Sequence, residues 1–335
     1  MRMAHKDKLH GRCVQDRFAD RPCLIDKQVF GNPVYLCLPS TPSRRREGDD
    51  MQLRIGIVGA GAIGGFFGAH LGKAGARLAV LARGRTLEAL SREGLVLEHD
   101  GGRIAHRPEE VSDDPAALGP VDLLLVTVKG QDAEAAVATV APMIGPHTRI
   151  LSLQNGLGGV ETMARLHGAD RVLAGVTYVP ASVSAPGQVR HTGPVTRTIF
   201  GPFVPQAASP LGPALAELSQ AAGLDMQHHD DPMPEIWSKF VMLAPFHIVS
   251  ALTRLPLGGW IDCDPTRALY AQGMAEVAEI ARARGTALPD DLVQRHLAFS
   301  RETADRRTWA SMLDDLERGR PLELEATVGW LLARA

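Results

Sequence analysis

Net charge is almost absent from this sequence: 36 lysines and arginines face 38 aspartates and glutamates over 335 residues, leaving −2. So even a balance excludes a strong electrostatic attraction to nucleic acid or to an anionic membrane. Cysteine is scarce too. Cys13, Cys23 and Cys37 precede Met51 and only Cys263 follows it, a spacing that fits neither a zinc site nor a disulfide framework and suits a reducing cytoplasm. Long apolar runs are also missing. The longest in the second half, 240–252, is interrupted by Pro245 and His247 and is too short to cross a bilayer. No continuous apolar segment follows the basic start, so a secretory signal is not expected. What is present is a hydrophobic fraction of 45%, enough to build a sizeable core in about two domains.

The first fifty residues lack helical or strand periodicity and end in Arg44-Arg45-Arg46-Glu47-Gly48-Asp49-Asp50. A solvated, disordered extension over 1–50 is expected, or a segment that is not made if translation starts at Met51. The intact mass of the natively expressed protein distinguishes the two.

Directly after the apolar run 53–58 stands Gly59-Ala60-Gly61-Ala62-Ile63-Gly64. In a strand–turn–helix setting, Gly59 permits the tight turn, Gly61 lets the backbone approach a pyrophosphate, and Gly64 lets the helix pack close to the sheet. Ala62 and Ile63 lie in the same glycine turn, just ahead of the helix, whose positive end favours phosphate. The alternative is an ordinary glycine turn. The acidic residue that would bind a ribose 2′-hydroxyl about 20 positions on is missing, and Arg83 and Arg85 occupy the end of the second apolar run. A guanidinium can hold a 2′-phosphate that a carboxylate would repel, so NADP(H) is favoured over NAD. Both arginines could instead be solvated loop charges.

From Met51 the pattern alternates: strand 53–58, helix 64–75, strand 78–82, helix 86–93, a short pair at 95–98 and 103–106, strand 121–128, helix 131–144 and strand 148–153. Further strands are predicted around 171–179, 188–191 and 196–201, then helix 212–223 and a short strand at 224–228. This is an α/β, Rossmann-type doubly wound sheet domain over 51–230. After Asp231-Pro232 strand-like segments disappear, and helices are predicted at 233–252, 265–284, 289–300, 303–318 and 321–334. They form a smaller all-helical C-terminal domain over 231–335, with the cleft outside the carboxyl ends of the strands.

Three constellations face that cleft. Lys129 follows the buried run 121–128 and Asn155 follows the run ending at Leu153, both where ligands meet this fold, although each could equally be a turn residue. Lys239, Leu243, His247 and Ser250 share one helix face by spacing. A lysine there usually snorkels to solvent, but one facing the cleft can have its pKa drawn from about 10.4 towards neutrality and act as a general acid. Finally, in Ser311-Met312-Leu313-Asp314-Asp315-Leu316-Glu317-Arg318-Gly319-Arg320-Pro321-Leu322-Glu323, Gly319 reads as a helix stop and Pro321 as the next helix start. That puts Glu323 in a first turn, where its carboxylate either caps the helix or keeps a nearby lysine protonated.

In this order, Gly59-x-Gly61-x-x-Gly64, Arg83, Val128-Lys129, Asn155-Gly156-x-Gly158, Trp237-x-Lys239-Phe240, Ser311-Met312, Gly319-Arg320 and Glu323 together resemble the ketopantoate reductase (2-dehydropantoate 2-reductase) family, from about Met51 to the C-terminus. The resemblance implies reduction of a small 2-keto acid by NADPH on the route to pantothenate and coenzyme A. It implies Lys239 as general acid, Glu323 and Ser311 as substrate holders, Asn155 beside nicotinamide and substrate, and Lys129 and Arg83 on NADPH; a homodimer is possible by the same resemblance. Two departures stand out. Where relatives carry asparagines one and two turns after the lysine, this chain has Leu243 and His247, with Pro245 expected to kink the helix. Leu243 cannot hydrogen-bond, a loss of about 1–3 kcal/mol for a substrate group left unpaired, whereas His247 can replace the other contact. A bulkier or more apolar 2-keto acid therefore competes with ketopantoate as substrate. Relatives also continue past the segment 329–334 with a closing helix, so uncovered apolar surface is expected near Ala335. Competing accounts are another two-domain dehydrogenase of hydroxyacid or opine type, and a catalytically impaired NADP-binding paralogue.

Overall fold

The computed structural model describes residues 52–335, plus the backbone of two short strands, β1 (Gln28–Val29) and β2 (Asn32–Pro33), which pair antiparallel. Apart from those four strand residues, the expectation of a disordered 1–50 falls outside the described residues. Gln52–Ala335 form one compact unit.

That unit opens with β3 (Arg54–Val58), α1 (Ala62–Lys73), β4 (Arg77–Leu81), α2 (Gly84–Glu93), β5 (Leu95–His99), β6 (Gly102–His106), β7 (Glu110–Ser112) and α3 (Pro115–Leu118). It continues through β8 (Val121–Val126), α4 (Ala133–Thr139), β9 (Ile144–Ser152), α5 (Gly158–His167), β10 (Val172–Thr177), β11 (Ala181–Ala185), β12 (Gln188–His191), β13 (Thr198–Pro202), α6 (Leu211–Ala221) and β14 (Met226–His228). Eight strands make one sheet in the order β14-β13-β10-β9-β8-β3-β4-β7. Neighbours from β10 to β7 run parallel; β13 turns antiparallel to β10 and β14 follows β13. β8 sits at the centre, and its Leu123, Leu124, Leu125 and Val126 are buried, as an unbroken apolar run requires when helices cover both faces.

A second sheet, β11-β12-β5-β6, covers α1 from its other side. Helix α1 is consequently almost wholly buried, Phe66 and Phe67 included, and its weak amphipathicity follows: it has a hydrophobic layer on both flanks. The predicted pair at 95–98 and 103–106 belongs to this second sheet, as does the segment 188–191.

Past Asp231 the described regular elements are all helical. The elements are α7 (Met233–Thr253), α8 (Leu257–Trp260), α9 (Asp264–Ala283), α10 (Leu292–Ala298), α11 (Ser311–Glu317) and α12 (Trp330–Leu332), the last preceded by a π-helical turn over Glu325–Gly329. At 21 residues α7 agrees with the helix expected over 233–252, and by length and composition, unlike the apolar run 240–252 alone, it could cross a membrane. Its Ile236, Trp237, Phe240, Val241 and Ala244 are instead buried in one apolar cluster with Leu124, Ile150 and Val176 of the sheet. Pro245 does not end the helix; its ring lies against Gly273 of α9, where an added Cβ would come within 3.0 Å of it. The predicted helix 303–318 shrinks to α11, because 304–310 is occupied by backbone pairing with the α8 region, Thr308 O accepting from Leu257 N and Arg306 O from Gly258 N.

Candidate active site

The glycine turn is built as its spacing demands. Gly59 has φ +98, and a side chain there would strike the Val128 backbone. At Gly64 a Cβ would fall 2.2 Å from the Gly59 carbonyl oxygen and 2.5 Å from Thr127 Oγ1, and that hydroxyl donates to Gly59 O at 2.7 Å. Gly61 is different: an added Cβ meets nothing within 4 Å. Its smallness is not needed for packing and leaves open the space before the first amides of α1, at Ala62 and Ile63. No side chain caps that helix and its first turn holds no acid, so the amides and the positive end of the dipole are available to a phosphate. Arg83 follows β4 as the residue before α2; it is exposed, and while its carbonyl accepts from Leu87 N, its guanidinium has no hydrogen-bond or ion-pair partner among the described residues. The glycine turn and the open end of α1 fit the pyrophosphate of a dinucleotide.

Lys129 and Asn155 both lie just past the carboxyl ends of central strands, β8 and β9. The Lys129 ammonium pairs with Asp315 of α11 at 2.5 Å, and the adjacent Gly130 N–H donates to Glu323 Oε1 at 2.7 Å. Two carboxylates of the helical part thus fasten consecutive residues at the β8 end. Asp315 is 5% exposed against 41% for Lys129, and Arg320 stands 3.6 Å from its other oxygen. Gly130 is close enough to the helical part that a Cβ would lie 2.5 Å from that of Ala326. Glu323 stands at the start of the helical segment and not inside its first turn: the helix begins at Leu324, and the Glu323 carbonyl accepts its first bond, from Thr327 N at 3.1 Å. Its carboxylate is engaged by Gly130 and forms no ion pair with Lys239.

Lys239 projects from the first half of α7 to the ends of β9 and β10. Its Nζ donates to Thr177 O at 2.6 Å and to Asn155 Oδ1 at 3.2 Å, and it lies 5.4 Å from the centre of the Tyr178 ring. Asn155 and Gly156 frame the recess in which it sits, with Val176, Phe240 and Leu243. Gly156, at φ +77, leaves room for the Phe240 ring, which a Cβ would meet at 2.9 Å. Removal of the ammonium from water pulls its pKa down to about 8. A lysine in this state is protonated at neutral pH yet gives up its proton far more readily than one in solvent.

His247, two turns on, is 2% exposed. Its Nε2 lies 3.3 Å from Ser311 Oγ, while Nδ1 is buried with no partner among the described residues. Burial, with the Lys239 charge as a smaller contribution, lowers its pKa to about 4. The imidazole is therefore neutral at physiological pH and adds no charge beside the lysine.

The structure thus brings together Lys239 with Asn155 and Ser311 with His247, and it ties Lys129 and Glu323 to the β8 end. Sequence reasoning missed Thr177, Asp315 and the group Tyr178–Glu235–Arg197. Thr177 acts through a backbone carbonyl, which carries no side-chain signature. Asp315 is one of several acids in a charged stretch and is set apart only by its burial.

A Rossmann-like sheet with a phosphate-ready glycine turn, facing a helical part that supplies a desolvated lysine, defines a dinucleotide-dependent oxidoreductase. Two family models match the chain, "Ketopantoate reductase PanE/ApbA" over residues 55–205 and "Ketopantoate reductase PanE/ApbA C terminal" over 231–335. The chain belongs to the ketopantoate reductase family, NAD(P)-dependent oxidoreductases acting on CH–OH groups. It is 33% identical over 297 residues to a 2-dehydropantoate 2-reductase of Mesorhizobium japonicum, covering 82% of this chain and 89% of that protein. The crystal structure of a 2-dehydropantoate 2-reductase from Geobacter metallireducens is 35% identical with TM-score 0.77, over 84% of this chain and 93% of that one. A D-mandelate dehydrogenase, 18% identical with TM-score 0.76 over 84% and 91% of the two chains, shares the fold.

Proposed function

We propose that this chain reduces 2-dehydropantoate to pantoate with NADPH, as a cytoplasmic step towards pantothenate and coenzyme A, with Lys239 as general acid. The observation that carries this reading is the Lys239 ammonium, drawn down in pKa and anchored by two acceptors at the carboxyl ends of β9 and β10. An ammonium has three N–H donors. Two are engaged by Thr177 O and Asn155 Oδ1, which leaves one for the substrate. Bound NADPH supplies the hydride that reduces C2 of the keto acid. Lys239 meets the negative charge growing on the C2 oxygen and transfers its proton to that oxygen; with a pKa of about 8, the amine recovers a proton from solvent at neutral pH. Gly59, Gly61 and Gly64, with the Ala62 and Ile63 amides, cradle the pyrophosphate; Arg83 holds the 2′-phosphate, and Lys129 and Asn155 complete the cofactor side. Ser311, His247 and Glu323 hold the substrate. A homodimer is the assembly proposed with this function.

A second reading rests on Leu243, which lines the Lys239 recess and offers no hydrogen bond. On this reading the preferred substrate is a 2-keto acid with a more apolar side chain than ketopantoate. A coupled measurement of NADPH and NADH oxidation over a panel of 2-keto acids separates the two. Highest kcat/KM with ketopantoate and NADPH is expected; a higher value with an apolar keto acid transfers the assignment to the second reading. Faster oxidation of NADH than of NADPH contradicts the role given to Arg83.

A further inference from the structure

Glu235 stands four residues before Lys239 on α7, the spacing and order at which glutamate and lysine ordinarily pair on a helix surface. They do not pair here. Glu235 Oε1 accepts from Tyr178 Oη at 3.0 Å and from Arg197 Nη2 at 3.4 Å, and the Lys239 ammonium is turned towards Thr177 O and Asn155. The Tyr178 ring lies between these two arrangements: its hydroxyl engages Glu235 while its face lies near Nζ.

We propose that Tyr178 and Arg197 hold the Glu235 carboxylate off Lys239, leaving its ammonium without a counter-ion, and thereby set the pH range in which that ammonium is charged. The proposal rests on the general-acid reading of Lys239 for its consequence in turnover, but not for its electrostatics. Among the described residues, the titratable groups around the lysine have other engagements. Arg197, ahead of β13, is paired with Glu235. His247 on the same helix is kept neutral by burial. His296 of α10 lies 2.9 Å from Ser238 O through Nε2, and it too has its pKa lowered by burial. Asn155 and Thr177 contribute only neutral oxygens, and Tyr178 is held protonated by burial and by Glu235. Desolvation then acts on Lys239 with no carboxylate to offset it, which agrees with burial being the only cause of its lowered pKa. A carboxylate released to within about 4–6 Å would favour the charged form.

The test is a titration of Lys239 by NMR in full-length protein labelled at lysine Cε, where six lysines in the whole chain keep the spectrum sparse. In the double variant Tyr178→Phe/Arg197→Ala, Glu235 is free to turn to Lys239. The Lys239 pKa should then rise by roughly one pH unit or more, and the basic limb of kcat for keto-acid reduction should move up with it. Tyr178→Phe alone, which keeps the ring, should shift both in the same direction by less. Adding Glu235→Gln to the double variant should return both towards wild type. An unchanged Lys239 pKa in the double variant overturns the proposal, as does a rise that persists with Glu235→Gln. A wild-type rate profile that does not follow the pKa measured by NMR instead contradicts the general-acid role, while the NMR shift still decides the electrostatic claim.

Discussion

At the scale of single residues, the site depends on polar groups held out of water. Lys239 and His247 share a helix face and a cause of pKa lowering, but with opposite results. Lys239 remains charged at neutral pH because its ordinary pKa starts high, and His247 becomes neutral because its own starts near 6.5. The histidine has a consequence for stability. Its pKa in the folded protein is about 4, below the unfolded value, so as pH falls the unfolded chain takes up the proton first. The stability of the neutral buried form is fully present above about pH 6.5 and is lost as pH falls towards 4. His247→Asn is therefore expected to shrink the drop in Tm between about pH 7 and pH 5. Thermal unfolding at the two pH values checks this, and an undiminished drop contradicts it.

At the scale of elements, the glycine turn separates folding from binding. Gly64 is required by packing, since its Cβ would collide with the Gly59 carbonyl and Thr127; Gly61 is not, since nothing lies near its Cβ position. Gly64→Ala should lose about 1–3 kcal/mol of stability. Gly61→Ala should change stability by no more than about 0.5 kcal/mol while weakening NADPH binding markedly. Denaturation together with fluorescence titration of NADPH reads both, and a Gly61→Ala protein that binds NADPH normally contradicts the phosphate cradle. The turn was legible in the sequence because its glycines precede a helix at fixed offsets, and the central strands were legible because runs such as 121–126 are apolar throughout. Strands β7 and β11 and helix α5 were not. β7 is three residues long, and β11 is built of small residues, Ala181-Ser182-Val183-Ser184-Ala185, whose one larger apolar side chain, Val183, is exposed and marks no core face. Helix α5 opens with Gly158-Gly159, which read as loop. The extent of the last helices was missed for another reason: 304–310 is fixed by backbone bonds to the α8 region, a tertiary pairing that no local pattern announces.

At the scale of the whole molecule, the sheet and the helical part are joined by one core. Trp330 is its clearest element: it packs with Trp237 and Phe240, its Nε1 donates to Glu161 of α5 at 2.9 Å, and Arg284 and Arg334 reach the same carboxylate. Because these contacts cross the position where the strand pattern ends, residues 52–335 should unfold in a single transition. Trp330→Ala should lower its stability by about 3–5 kcal/mol without splitting it; two separated transitions in wild-type protein contradict the shared core. The same closeness of the two parts is what lets Lys239, carried by the helical part, find its acceptors Asn155 and Thr177 on the sheet. The most direct test of that arrangement is steady-state reduction of ketopantoate by Lys239→Ala beside wild type, with NADPH affinity measured on both. The expected result is unchanged NADPH binding with kcat lower by about 10²–10⁴-fold; a variant that binds NADPH and turns over at near the wild-type rate would contradict the assignment of Lys239 as the acid.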